Sequence, residues 1–201
     1  SILTPKQSRP LPEFFTSKEV DNLFEYVQFT DSYEGIRDKT IIGLFYVTGI
    51  RLSELVQLRN RDVDLSLKQI KVLGKRNKER IIPITSELLA KIEKYRIAKK
   101  ALSLDHPCLL LRMNGKPLYP QLVYRMVKAT LSTLSGVEKR SPHVLRHTFA
   151  THMLNNGAGL ETLKDLLGHA NLSATQVYTH NSFAQLKKAY GTAHPRALKS
   201  N

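Results

Sequence analysis

Two short strand-like segments, joined by a basic turn, interrupt a chain whose other apolar residues recur mostly at helical spacing. Both segments, Gln69–Leu73 and residues 80–84, are rich in β-branched residues. The six residues between them, GKRNKE, are typical of a turn, so the pattern predicts a β-hairpin with a basic tip. The chain is therefore predicted to be mainly α-helical with a small antiparallel β-sheet.

Helical periodicity accounts for most of the remaining chain. Thr16 or Ser17 can cap a first helix that carries one apolar face. Asn114 and Gly115 form a strong tight-turn signal, and Gly168 suits the left-handed cap of the helix before it. Further helices are predicted over residues 33–47, 53–58, 86–101, 120–134, 142–155, 160–167, 174–179 and 182–190.

The composition indicates an anionic partner. The 201 residues contain 31 Lys and Arg against 17 Asp and Glu, for a formal charge of +14. Such a field favours association with nucleic acid or an acidic surface, although a basic surface can also serve solubility alone. No apolar run approaches the roughly 20 residues that span a bilayer. Cys108, the only cysteine, cannot form an intramolecular disulfide, which favours a cytoplasmic location and a buried structural thiol.

Arg51 follows Gly49 and lies at the predicted start of a new helix. A guanidinium there could bind two phosphate oxygens at once. A surface arginine in a salt bridge is the simpler interpretation of this residue alone. Glu54, three residues later, could orient Arg51 or simply continue the helix.

A second cationic segment begins with Ser141 and Pro142, which together are typical of a helix N-terminus. The three-residue spacing places His143 and Arg146 on one face of that helix. The free amides of the first turn also favour a nearby anion. An ordinary capped helix with a polar face fits the same residues.

A metal site is not predicted. His143 and His147 have the i, i+4 spacing of a zinc-binding helix, but Val144 stands where the glutamate of that motif is expected. No cysteine cluster or carboxylate group accompanies them. His147 and His152 are predicted to be structural, and no cofactor is predicted.

Tyr178 is the candidate nucleophile. Only about one tyrosine in a thousand is ionised at neutral pH, so nucleophilic attack needs a base or clustered cations. His143 could accept the proton, and Lys75 on the hairpin tip could protonate a leaving sugar oxygen. His169, just beyond a helix end, could point into the same cleft. Taken alone, Tyr178 would be a packing residue and Lys75 a solvated charge.

Because these residues occur in this order, the chain resembles the catalytic domain of tyrosine recombinases, especially the bacterial Xer type. The resemblance extends over residues 13–198, and it is carried by TGIRLSELVQL, GKRNKERIIPI, SPHVLRHTFATHML, LLGHANLSATQVYTH and the HPRA end. It implies the DNA breaking-rejoining fold shared with type IB topoisomerases. It also implies metal-free cleavage of double-stranded DNA through a 3′-phosphotyrosine, with strand exchange in a homo- or hetero-tetramer.

The resemblance also implies a role for each matching residue. Tyr178 becomes the nucleophile, Lys75 the general acid, His143 the base and His169 a phosphate hydrogen-bond donor. The remaining pair, Arg51 and Arg146, becomes the phosphate clamp. One departure is Arg76, at a position where many relatives carry glycine, which leaves the reach of Lys75 against Lys78 open.

The resemblance divides the chain into three parts. Residues 1–12 are expected to be a linker from an N-terminal DNA-clamping domain that this chain lacks, and residues 13–181 the catalytic domain. Residues 182–201 form a C-terminal helix and tail that either packs on its own domain or is exchanged between protomers. Chromosome-dimer resolution and DNA integration both remain open, as does an accessory activator protein. The alternatives are a type IB topoisomerase-like relaxing enzyme and a noncatalytic DNA-binding protein.

Overall fold

The computed structural model describes residues 14–25, 27–134, 140–168 and 180–198, with the backbone alone for 180–186 and 198. Within these ranges the chain is mainly helical and carries one small antiparallel sheet, which confirms the predicted fold class. The elements are α1 Ser17–Glu25, α2 Tyr33–Thr48, α3 Leu52–Gln57, β1 Val63–Asp64, β2 Gln69–Leu73, β3 Glu79–Pro83, α4 Ser86–Ala101, α5 Pro120–Leu131, α6 Pro142–Asn155, α7 Leu160–Leu167, α8 His180–Ala193 and α9 Pro195–Leu198.

Helix α2 lies at the centre of the core and packs against α4 and α6. It is buried on most of its circumference because apolar residues fill its second half. At its start, the Ser32 side chain accepts a hydrogen bond from the backbone N–H of Gly35. Its end is set by Gly49, whose φ of 64° is left-handed and whose N–H donates to the carbonyl of Phe45.

Gly49 also fixes the distance between α2 and α6. A Cβ atom at this position would lie 2.5 Å from the Phe149 ring, so only glycine permits this approach. The chain then turns directly into α3, with Arg51 as the residue before its first turn. This close contact places Arg51 beside α6.

The sheet has the order β1-β2-β3, and both pairings are antiparallel. The predicted hairpin is confirmed, with Ile70 opposite Ile82 and Leu73 opposite Glu79. Strand β1 was not predicted, because two residues are too few to show an alternating pattern. In the turn, Arg76 has a φ of 58°, a left-handed conformation in which glycine is favoured and arginine is strained.

The predicted boundaries of α4, α6 and α7 agree with the structure at both ends. Helix α5 ends at Leu131, three residues earlier than predicted, where the side chains of Ser132 and Thr133 bond back to helix carbonyls. The predicted helix over 174–179 lies outside the described residues. No helix in the described part of the chain has the length and apolarity of a membrane span.

The end of α8 packs on the core of the same chain. The hydroxyl of Tyr190 donates to the carbonyl of Val47 at 2.8 Å, and Nε2 of His194 donates to the carbonyl of Tyr46 at 3.3 Å. Both side chains are buried. The described tail residues therefore lie against α2 of their own domain.

Candidate active site

Arg51 occupies the N-cap position of α3, two residues after the left-handed Gly49. Its backbone N–H donates to Oε2 of Glu54 at 2.9 Å, and its Nη1 donates to Oε1 at 3.1 Å. Its Nη2 donates to the carbonyl of Gly168 at 3.4 Å. The side chain remains 28% exposed. One face of this guanidinium is therefore held by the protein while another faces solvent.

Arg146 extends from α6 toward the same point. It donates to the carbonyl of Leu167 at 2.9 Å and, through Nη1, to the carbonyl of Gly49. Burial lowers the pKa of Arg146 to about 10, and the nearby positive charges of Arg51 and Arg80 act in the same direction. The group stays protonated at neutral pH, but crowding by like charges makes an anion favourable here.

A buried ion pair supports these two arginines. Nη1 and Nη2 of Arg80 each donate to one carboxylate oxygen of Glu54 at 2.8 Å. The two residues are only 5% and 6% exposed. Burial alone would raise the pKa of Glu54, but the hydrogen bonds and charge of Arg80, together with two hydrogen bonds from Arg51, lower it overall. Glu54 therefore carries a full negative charge beneath the site.

Sequence reasoning missed Arg80. The sequence predicts only that a strand begins at this residue. Arg80 alternates with the buried Ile82 and so points to the same, inner face of β3. An arginine on the buried face of a strand needs a buried acceptor. That requirement is the signal that could have identified Arg80. The acceptor, Glu54, lies 26 residues away along the chain, and its local spacing indicates only a pairing with Arg51.

The arginines converge on the C-terminal end of α7. Three consecutive carbonyl oxygens there each accept a hydrogen bond from a different arginine. The position suits cations, because the C-terminus is the negative end of the helix dipole. The pairs are Leu166 with Arg80 at 2.8 Å, Leu167 with Arg146 at 2.9 Å, and Gly168 with Arg51 at 3.4 Å. His169 is the next residue along the chain.

The other predicted site residues are distributed around this point. Lys75 is exposed in the hairpin turn, directly after Gly74, and a Cβ atom on Gly74 would lie 3.5 Å from Oε1 of Glu54. His143 is exposed at the start of α6, one turn before Arg146. His169 and Tyr178 lie outside the described residues.

His152 is structural, as predicted. Its Nε2 donates to the carbonyl of Phe15 at 2.7 Å, so its Nδ1 accepts from the hydroxyl of Tyr46 at 2.8 Å. Cys108 is half-buried rather than buried, because it borders the exposed loop before the Leu109 core residue. Among the described residues there is no group of three or more His, Cys, Asp or Glu side chains that could bind a metal ion.

Comparison with known proteins defines the class. The model of the phage integrase family matches residues 13–185. Among curated relatives, tyrosine recombinase XerC of Staphylococcus haemolyticus is 46% identical over 201 residues, covering 100% of this chain and 67% of the relative. XerC of Staphylococcus aureus (strain JH9) is 43% identical over 201 residues, again covering 100% of this chain and 67% of the relative.

Solved structures show the same fold. The XerA recombinase matches with a TM-score of 0.72 and 29% identity, over 94% of this chain and 68% of that one. The integrase of mycobacterium phage Brujita has a TM-score of 0.75 at 22% identity, over 95% of this chain and 61% of that one.

The chain belongs to the phage integrase family. Within that family it is a Xer-like tyrosine recombinase, an enzyme of site-specific recombination. The topoisomerase-like alternative is not favoured by these relatives.

Proposed function

We propose that this chain cleaves and rejoins double-stranded DNA through a covalent bond between Tyr178 and a 3′-phosphate. The Tyr178 oxygen attacks the scissile phosphorus, and the bond between phosphorus and the 5′ oxygen breaks. Rejoining reverses the step, because a 5′ hydroxyl attacks the phosphotyrosine and releases Tyr178. Neither step uses a metal ion.

Arg51 and Arg146 form the phosphate clamp in this mechanism. The observation that carries the proposal is their convergence on the end of α7, where both donate to neutral carbonyl oxygens. A phosphate oxygen is a charged acceptor and forms stronger hydrogen bonds with guanidinium than a carbonyl does. Charge that develops on the phosphate during attack would be stabilised most by these donors.

The two proton transfers are assigned to His143 and Lys75, and a further phosphate contact is assigned to His169. His143 takes the proton of Tyr178, and Lys75 gives a proton to the departing 5′ oxygen. His169 donates a hydrogen bond to the phosphate. Support comes from the exposure of His143 and Lys75, which allows both to reach a bound duplex.

The biological setting follows from the relatives and is part of the proposal. A XerC-like enzyme is expected to act as a homo- or hetero-tetramer on DNA, in chromosome-dimer resolution or in DNA integration, with an accessory activator protein in some settings. Residues 1–12 are proposed as a linker from an N-terminal DNA-clamping domain, and residues 182–201 as a segment that can be exchanged between protomers. The single cysteine supports a cytoplasmic location.

The experiment that tests this function is formation of a denaturant-stable protein–DNA adduct on a nicked duplex carrying the target site. Adduct formation should continue at an unchanged rate in excess chelator, since guanidinium and ammonium groups supply the positive charge. Loss of the adduct in chelator, with recovery on addition of a divalent ion, would contradict the proposal.

A further inference from the structure

Arg80 is buried, and its hydrogen-bond partners lie beside Arg51 and Arg146, the proposed phosphate clamp. It is 5% exposed and lies on β3, with its guanidinium forked across both oxygens of Glu54. A buried arginine of this kind is costly unless its donors are satisfied. Its Nε is satisfied as well, because it donates to the carbonyl of Leu166 at 2.8 Å.

Glu54 is shared between two arginines. Its Oε1 accepts from Nη1 of Arg80 at 2.8 Å and from Nη1 of Arg51 at 3.1 Å. Its Oε2 accepts from Nη2 of Arg80 at 2.8 Å and from the backbone N–H of Arg51 at 2.9 Å. The carboxylate is therefore neutralised chiefly by Arg80, and Arg51 gives it only one side-chain hydrogen bond.

The sharing of Glu54 between the two arginines determines the direction of the Arg51 side chain. Without Arg80, the full charge of the buried Glu54 carboxylate would fall on Arg51, the nearest remaining cation. A bidentate pair between them would be the favoured geometry, and it would draw the Arg51 fork away from a phosphate. With Arg80 present, Nη2 of Arg51 is directed to the carbonyl of Gly168, on the side where the three arginines converge.

Arg80 also contacts the end of α7. A Cβ atom on Gly168 would lie 3.1 Å from Nη1 and 3.2 Å from Cδ of Arg80, so the arginine side chain packs directly beneath this glycine. The same side chain thus joins β3, α3 and the last turn of α7. Gly168 is the residue immediately before His169.

We propose that Arg80 is a positioning residue for DNA cleavage, which neutralises Glu54 so that Arg51 stays available to the scissile phosphate. The inference rests on the function proposed above and adds a residue to it that does not touch DNA. Arg80 acts through Arg51, and its effect belongs to the rate of cleavage rather than to the affinity for DNA.

The test measures single-turnover adduct formation at saturating DNA for Arg80→Met and Arg80→Lys. Both variants should bind the duplex with nearly unchanged affinity. Arg80→Met should form the adduct up to about 100-fold more slowly, the usual cost of a misplaced catalytic group, and Arg80→Lys, which keeps a positive charge beside Glu54, should be slowed less, by about 10-fold. Arg80→Lys keeps the charge but not the fork, so it gives the answer if Arg80→Met does not fold. Arg37→Met is the matched control, because Arg37 is also buried, pairs with Asp38 at 2.9 Å and donates to a carbonyl, that of Leu111.

The same substitution in the Arg51→Ala variant distinguishes an effect through Arg51 from a general loss of stability. In Arg51→Ala, the residue through which Arg80 acts is gone, so adding Arg80→Lys should slow adduct formation less than about twofold further, as expected for coupled residues. If Arg80→Lys slowed adduct formation equally in the unsubstituted chain and in Arg51→Ala, or if Arg80→Met left the rate unchanged, this inference would be overturned and the proposed function would stand. Absence of any adduct with the unsubstituted chain would overturn the proposed function, and this inference with it.

Discussion

At the residue scale, the cations of the site differ in what binds them. Arg51 and Arg146 are partly exposed and donate to neutral carbonyl oxygens, which a charged phosphate can replace. Arg80 is buried and donates to a carboxylate, which a phosphate cannot reach. Lys75 is exposed in the hairpin turn. These positions suit Arg51 and Arg146 as phosphate ligands, Arg80 as an internal support and Lys75 as an exposed proton donor.

The proton donor can be identified with a modified substrate. Lys75→Ala should slow adduct formation on an ordinary phosphodiester by about 10²- to 10⁴-fold, the usual contribution of a general acid. Replacing the 5′ leaving oxygen by sulfur should restore the rate, because a thiolate departs without a proton. Lys78→Ala is the control in the same turn, and it should be nearly unaffected on both substrates. Rescue of Lys78→Ala but not of Lys75→Ala would assign the acid to Lys78.

At the element scale, α7 and its glycine cap hold the site together. Its last carbonyl oxygens receive the three arginines, and Gly168 ends it with a φ of 66°. Gly157, which follows α6, also has a left-handed φ, 88°, but a Cβ atom there would have no atom within 4 Å. The two glycines therefore share a backbone conformation and differ in their neighbours.

Alanine at these two glycines separates the backbone cost from the contact with Arg80. Gly157→Ala should lower the free energy of unfolding by about 1–2 kcal/mol, the cost of a left-handed non-glycine residue. Gly168→Ala should lower it by more, because its Cβ atom would also displace Arg80. Urea unfolding of both variants measures the difference. Equal losses would mean that Arg80 adjusts freely and does not support the end of α7.

The same elements show how far the sequence could be interpreted. The limits of α6 were predictable because Ser141 and Pro142 are typical of a helix start, while Asn156 and Gly157 are typical of an end. Strand β1 was not, since Val63–Asp64 is defined only by its pairing with β2. The link between Arg80 and Glu54 was hidden for a related reason, because it joins a strand to a helix and no local pattern encodes it.

At the scale of the whole molecule, one core extends from α1 to the C-terminal tail. The tail contributes His194, which is fully buried and stacks on the ring of Tyr190, with 5.0 Å between the ring centroids. Burial lowers the pKa of His194 to about 3, and the hydrogen bond to the carbonyl of Tyr46 opposes this only in part. The folded chain therefore keeps this imidazole neutral in mild acid.

This burial predicts a loss of stability in mild acid. Below an unfolded pKa near 6.5, the unfolded chain binds a proton at His194 that the folded chain does not, so stability falls until the pH reaches about 3. Between pH 7 and pH 5, His194 should lower the free energy of unfolding by about 2 kcal/mol. Urea unfolding at both pH values measures it, and His194→Gln should reduce the difference. An equal difference in both proteins would contradict the assigned role of His194.

The most direct test of the whole account is the position of the covalent bond. Tyr178→Phe retains the ring and removes the only oxygen that could join the phosphate, so this variant should bind the duplex and form no adduct. Tyr124→Phe is the control, since Tyr124 is 41% exposed on α5, and it should form the adduct normally. Proteolysis of the adduct should yield a phosphotyrosyl peptide containing Gln176, Val177 and Tyr178. An adduct that persists in Tyr178→Phe, or that maps to another tyrosine, would contradict the account.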